Sequence, residues 1–220
     1  MKKLLMLTVG VLLMAQAGQA GLDYSWSGAL SIPNNNPAGR SFMFEISDPN
    51  TFITGVSVSF DITGGYNGDL YAYLAHGSGF AVLLDRVGTG TGSEPTFSFG
   101  YGNTGFNVTL DDTGANGIQN YQDYSYTLNG SGQLTGTWKP NDGSTSFGDT
   151  FHGMDPNGIW TLFFADRAGG DNATIMAFSV NIAAVPEPTT WAMVVFAAII
   201  LGAHLSRKHW TALQRRRSDG

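Results

Sequence analysis

The 220-residue sequence predicts an all-β fold, an antiparallel β-sandwich of the jelly-roll kind. Three observations predict it. Apolar and polar residues alternate with a period of two in several short runs, which sets one face of each strand for a core and the other for solvent. Glycine makes up 30 of the 220 residues, and clusters of Gly, Asn, Asp, Ser and Thr punctuate those runs as turns do. Between the two chain ends no helical period persists for three turns.

The elements follow in order. Val56, Val58, Phe60 and Ile62 alternate with Ser57, Ser59 and Asp61, a half-buried strand. Leu70, Ala72 and Leu74 interleave with Tyr71 and Tyr73. Trp160, Leu162 and Phe164 alternate with Thr161 and Phe163, and Met176, Phe178, Val180 and Ile182 do so with Ala177, Ser179 and Asn181. Gly64-Gly65, Asn67-Gly68, Gly77-Ser78-Gly79, Asp142-Gly143, Asn157-Gly158 and Gly169-Gly170 mark the turns between them. No fixed-period repeat is present, so neither a solenoid nor a propeller is expected.

Both ends read as processing segments, which divides the chain into residues 1–20, 21–184 and 185–217. Lys2 and Lys3 precede an apolar run from Leu4 to Met14 and small residues suited to cleavage after Ala17 or Ala20, the order of a secretory signal peptide. At the other end, Val185-Pro186-Glu187-Pro188 leads into an apolar stretch from Trp191 to Leu205, then Arg207, Lys208, Arg215, Arg216 and Arg217. As a helix that stretch spans about 22 Å, and snorkelling of Arg207 and Lys208 extends its reach towards a ~30 Å hydrocarbon core. A C-terminal transmembrane helix with its basic cluster on the cytoplasmic side is therefore expected.

Charge and cysteine narrow the function classes. The net charge of the chain is −6, but between Gly21 and Pro188 four basic residues stand against sixteen Asp and Glu, a net of −12. A field of that sign repels nucleic acid, excluding it as a partner, and attracts cations or basic partners. The absence of cysteine removes disulfides, thiolate zinc sites and thiol catalysis together.

The ordered tail, Pro186-Glu187-Pro188, a short apolar helix and an arginine cluster, resembles the PEP-CTERM sorting signal of Gram-negative bacteria. The resemblance implies recognition and processing by an exosortase-type membrane protease. It further implies passage through the inner membrane and delivery to the outer surface or an exopolysaccharide-rich matrix. In logic the tail would be a removable address, like a GPI signal; a permanent anchor is the alternative.

The middle region carries Ile32-Pro-Asn-Asn-Asn-Pro-Ala-Gly-Arg40, Val56-Ser-Val-Ser-Phe-Asp-Ile-Thr63, Gly68-Asp-Leu70, Leu134-Thr-Gly-Thr-Trp-Lys-Pro140, Phe151-His-Gly153, Asp155-Pro-Asn-Gly-Ile-Trp-Thr-Leu162 and Ala165-Asp166. From Ser31 to Ile182 this order resembles the P domain (Homo B domain) that follows the catalytic domain of subtilisin/kexin-type proteases, and implies a jelly-roll sandwich. The chain departs from that family's setting. It has no Gly-x-Ser-x-Gly and no Ser/His/Asp set in recognisable context, so no catalytic residue and no enzyme activity is expected. His76 and His152 read as loop or surface residues, and Asp111-Asp112 as a poor acid/base pair, because adjacent strand residues face opposite ways.

Three expectations concern ligands. Calcium would use Asp61, Asp69, Asp166 and Asp171, which lie at strand ends that approach one another in the resembling fold; the plainer alternative is that each Asp makes a turn. Sugar binding would use Trp26, Tyr66, Tyr101, Tyr121, Tyr124 and Tyr126 in turn-rich stretches, and extracellular polysaccharide would be the partner. An accessory role beside a subtilisin-like serine protease is the remaining reading. The leading one is a structural or adhesive module at the cell surface.

Overall fold

The computed structural model describes residues 20–48, 51–90, 99–141, 146–186, 193–204 and 207. The signal segment before Ala20, and Glu187, Pro188, Lys208, Arg215, Arg216 and Arg217 of the tail, lie outside the described residues. Among the described residues nine strands follow in chain order: β1 (Ala20–Ser31), β2 (Asn36–Ile46), β3 (Thr51–Gly64), β4 (Leu70–His76), β5 (Gly79–Asp85), β6 (Gly105–Asp111), β7 (Leu134–Trp138), β8 (Gly158–Asp166) and β9 (Ala173–Pro186). They form a five-stranded sheet in the order β1-β9-β3-β6-β7 and a four-stranded sheet in the order β2-β8-β4-β5. The expected all-β, two-sheet arrangement is present.

The pairings among these strands are antiparallel except β6 with β7, where Phe106 to Leu110 run parallel to Leu134 to Trp138. The expectation of a wholly antiparallel sandwich is corrected there. The chain leaves the end of β6, passes through the 3-10 segment Ile118–Asp123, and returns to β6's beginning; a connection of that length permits a parallel crossover.

The alternation read from the sequence places the core. Val58, Phe60 and Ile62 of β3 and Leu162 and Phe164 of β8 are buried between the sheets, and Phe60 meets Phe106 at 6.0 Å and Phe164 at 5.6 Å between ring centroids. In β9 the phase slips once. Asp61 pairs with Ala177 but Ile62 pairs with Ile175, so a bulge at Met176 turns Ile175 inward and leaves Met176 outside. Met176 is thus not one of the core residues, while Phe178, Val180 and Ile182 are.

Trp160 anchors one end of the core. It is fully buried, stacks on His76 at 4.2 Å with the rings nearly parallel, and donates its indole N–H to the Pro156 carbonyl at 2.9 Å. His76 is not a surface residue: both ring nitrogens face backbone carbonyls, of Ile159 (3.1 Å) and Asp155 (2.8 Å). His152 is exposed, at the C-terminal end of a one-turn helix α1 (Phe147–Phe151).

At the opposite end, buried Asn67 completes the backbone bonding of β6's first residue. Its amide donates to the Gly105 carbonyl (3.1 Å) and accepts from the Gly105 N–H (2.7 Å). Gly105 has φ +93°, and a Cβ there would stand 2.1 Å from the Ile62 carbonyl oxygen, so only glycine fits. Beside it the buried Tyr121 hydroxyl donates to Asn103 (2.7 Å); burial pushes its pKa up to about 12, with the Asn67 and Gln122 amides opposing.

Of the tail, Val185 and Pro186 end β9, paired with Phe52 and Thr51 of β3, and residues 193–204 are helical. Among the described residues no helix is long and apolar enough to cross a membrane.

Candidate functional site

Three surfaces hold the residues a function could use: an acidic end, the outer face of the five-stranded sheet, and the outer face of the four-stranded sheet.

The acidic end is built by topology. Asp69 closes the 3-10 turn Asn67–Asp69 just before β4, and Asp166 is the last residue of β8. Antiparallel pairing of Leu70 with Asp166 brings the two together, and Asp171 follows in the connection to β9. Asp166 is fully buried; one carboxylate oxygen accepts from the Ala168 N–H at 3.2 Å, and Oδ2 has no hydrogen-bond partner among the described residues. Burial raises the Asp166 pKa above the usual carboxylate range, the Ala168 and Asn35 amides oppose it, and Asp171 adds to the rise. Burial also raises Asp69, helped by Asp166 and Asp171 and opposed by Arg86, whose Nη2 lies 3.9 Å from Asp69 Oδ1.

Asp61 does not join this group. It sits on β3 in the other sheet and accepts from Gln133 Nε2 at 2.6 Å. Among the described residues no set of three or more His, Cys, Asp or Glu side chains converges as a metal cluster. What the acidic end offers a cation is a close carboxylate pair with one buried, unpartnered oxygen.

The five-stranded sheet presents small polar side chains outward. Register aligns Ser25, Ser179, Ser59, Thr109 and Thr137 in one row across its five strands. The neighbouring row is Ser27, Ala177, Asp61, Asn107 and Thr135. A shallow groove of about 620 Å³ lies over them. A second depression of about 220 Å³ continues beyond the edge strand β7, beside Tyr126, Thr127 and Trp138, and both are lined by Gly136 and Thr137.

The four-stranded sheet is the reverse. Met43 (71% exposed), Ile159 (62%) and Phe80 (51%) stand on its outer side. Tyr73 stacks there on Phe163 at 4.8 Å and meets Phe80 at 4.8 Å, and the Arg167 guanidinium lies over Tyr71 at 5.3 Å.

No family model matches the chain, and no curated protein matches it. Among solved structures it is similar to a serine protease of Aeromonas sobria. Against that protease in complex with its chaperone the identity is 14% and the TM-score 0.45; against the protease structure described on its own they are 12% and 0.43. Each alignment covers 76% of this chain and 27% of the other, so this chain spans about a quarter of the length of the protein it matches. Likeness at that level carries no activity or partner across.

The aromatic residues expected to face a sugar do not share one surface. Tyr101 and Tyr121 are buried, Trp26 turns inward against Phe42 and Phe178, and Tyr66 donates its hydroxyl to the Gly100 carbonyl. Tyr124 and Tyr126 are exposed. The rings that do share a face are Tyr71, Tyr73, Phe80 and Phe163. Their signal was the i, i+2 spacing of Tyr71 and Tyr73 on the solvent side of a strand, which puts large rings where polar residues are usual. The Asp112 carboxylate accepts from the N–H groups of Phe147 (2.9 Å) and Gly148 (2.7 Å) at the start of α1.

Proposed function

We propose that this chain is an exported cell-surface or matrix protein, addressed by a PEP-CTERM-like tail and processed by an exosortase-type protease, whose P-domain-like sandwich has a structural or adhesive role and no catalytic one. One observation carries the adhesive part: the outer face of the four-stranded sheet exposes Met43, Ile159 and Phe80 around a cluster of tyrosine rings and an arginine. Exposed apolar surface enriched in Tyr, Phe, Met and Arg is the composition of interaction patches. The ordered motif, apolar stretch and arginine cluster at the C-terminus support the address.

Calcium at the acidic end belongs to the same proposal, supported by the Asp69–Asp166 pair and the unpartnered Asp166 oxygen.

The test is cell fractionation with surface labelling of the full chain and of a variant with Pro186→Ala and Pro188→Ala. Wild type is expected at the outer surface and the variant in the inner-membrane fraction, unprocessed. Identical distribution and size of the two proteins would remove the sorting reading. Surface display with no loss of cell–cell or cell–matrix adhesion in a Met43→Ser/Phe80→Ser variant would remove the adhesive one.

A further inference from the structure

The geometry points to a binding site for an uncharged polysaccharide strand on the outer face of the five-stranded sheet, running across its strands and ending against Tyr126. This deepens the reading of the chain as an exported surface module and rests on it. Three features assign the occupant. The first is length: five strands about 4.8 Å apart make a track of roughly 19 Å between β1 and β7, room for several sugar rings in line. The track does not stop at the edge strand. Gly136 and Thr137 of β7 line both depressions, so the groove passes over the edge strand to Tyr126 and Thr127.

The second is bonding capacity. The two rows offer hydroxyls and an amide that both donate and accept, the pattern a polyol presents in return. Ser59 and Thr109 share one hydrogen bond at 2.8 Å, so neighbouring strands hold these hydroxyls within bonding reach, and one donor and further lone pairs are left over. Tyr126, 38% exposed at the far end, supplies a flat apolar surface for the C–H face of a ring.

The third is charge. Among the described residues no Lys or Arg lines either depression, so none of them compensates an acidic polymer. The one carboxylate among the described lining residues, Asp61, already accepts from Gln133, and the surrounding domain is strongly acidic. Uronate- or sulfate-bearing chains are repelled, whereas a neutral chain meets no penalty.

The experiment is affinity electrophoresis of the full chain in gels containing hydroxyethylcellulose, guar galactomannan or alginate. Retardation by at least one neutral polymer and none by alginate is expected. Tyr126→Ala should weaken it about tenfold, the scale of one lost ring contact. Ser179→Arg, on β9 within the groove, should abolish it while leaving the melting temperature unchanged; if that variant fails to fold, Thr137→Arg on the edge strand fills the same groove. Migration unaffected by every neutral polymer overturns the proposal. So does equal retardation by alginate, or wild-type retardation of the folded groove variants. Because this is read on purified protein, its failure is distinct from a failure of the sorting or adhesion tests, which are read on cells.

Discussion

Trp160 ties four elements together through one ring. It packs against Phe44 of β2, His76 of β4 and Phe151 of α1 while standing on β8. Trp160→Ala is expected to destabilise the chain by about 3–5 kcal/mol, the cost of emptying a large aromatic site in a core. Denaturant unfolding measures it, and a loss under 1 kcal/mol would contradict the packing described. Asp166 acts in the opposite sense. Burial raises its pKa and that of Asp69 in the folded chain, so the folded state holds their protons more tightly than the unfolded one, whose carboxyls titrate near 3.8. The ionised pair therefore costs stability above the raised values, and that cost is relieved as pH falls through them towards 3.8. Asp166→Asn keeps the shape and the bond from Ala168 without the charge. Its advantage in urea midpoint over wild type should be largest at neutral pH and shrink on acidification. An advantage that is constant with pH would show that Asp166 is not held above its ordinary range.

Among the elements, β3, β4, β8 and most of β9 were legible because each has a buried neighbour on both edges in its sheet or a clean half-buried alternation. β6 carries the same signal, with Phe106, Val108 and Leu110 facing in. β1 carries the same alternation, with Leu22, Tyr24 and Trp26 facing in and Asp23, Ser25 and Ser27 out, until Gly28, where the inward position holds no side chain and the Trp26 ring lies across it. β5 breaks its own period, since a bulge at Leu83, opposite Ala72 and Tyr73 of β4, leaves Leu83 and Leu84 both buried. β7 is five residues with Gly136 in the middle, and only its parallel pairing with β6 makes it a strand. The one-turn helix α1 is held from a distance. Asp112 caps it across 35 residues of chain, and Ser146 caps it locally through the Asp149 N–H. Asp112→Ala is expected to cost about 1–2 kcal/mol, as two backbone donors lose a charged acceptor. Hydrogen exchange should show faster protection loss at Phe147 and Gly148; unchanged exchange there would rule out the cap.

At the scale of the whole molecule the balance is between a large core and a strongly acidic surface. A cation bound at the Asp69–Asp166 end would relieve part of that self-repulsion. The melting temperature of the full chain should rise by several degrees on passing from EDTA to millimolar calcium, and the rise should vanish in Asp69→Asn or Asp166→Asn. No shift would leave these residues as turn-formers and end the calcium proposal. By itself the sequence determined the fold class, the strand periods and the acidic balance, together with the ordered tail from which an address is inferred, because each of these is a property of neighbours in the chain. The tertiary structure alone decided which acids meet, since Asp69 and Asp166 are joined by pairing β4 with β8 while Asp61 is carried away in the other sheet. It also decided that one outer face is a hydroxyl track and the other an aromatic patch. Period two says that residues alternate between faces, and only the order and register of the strands say whose side chains share one.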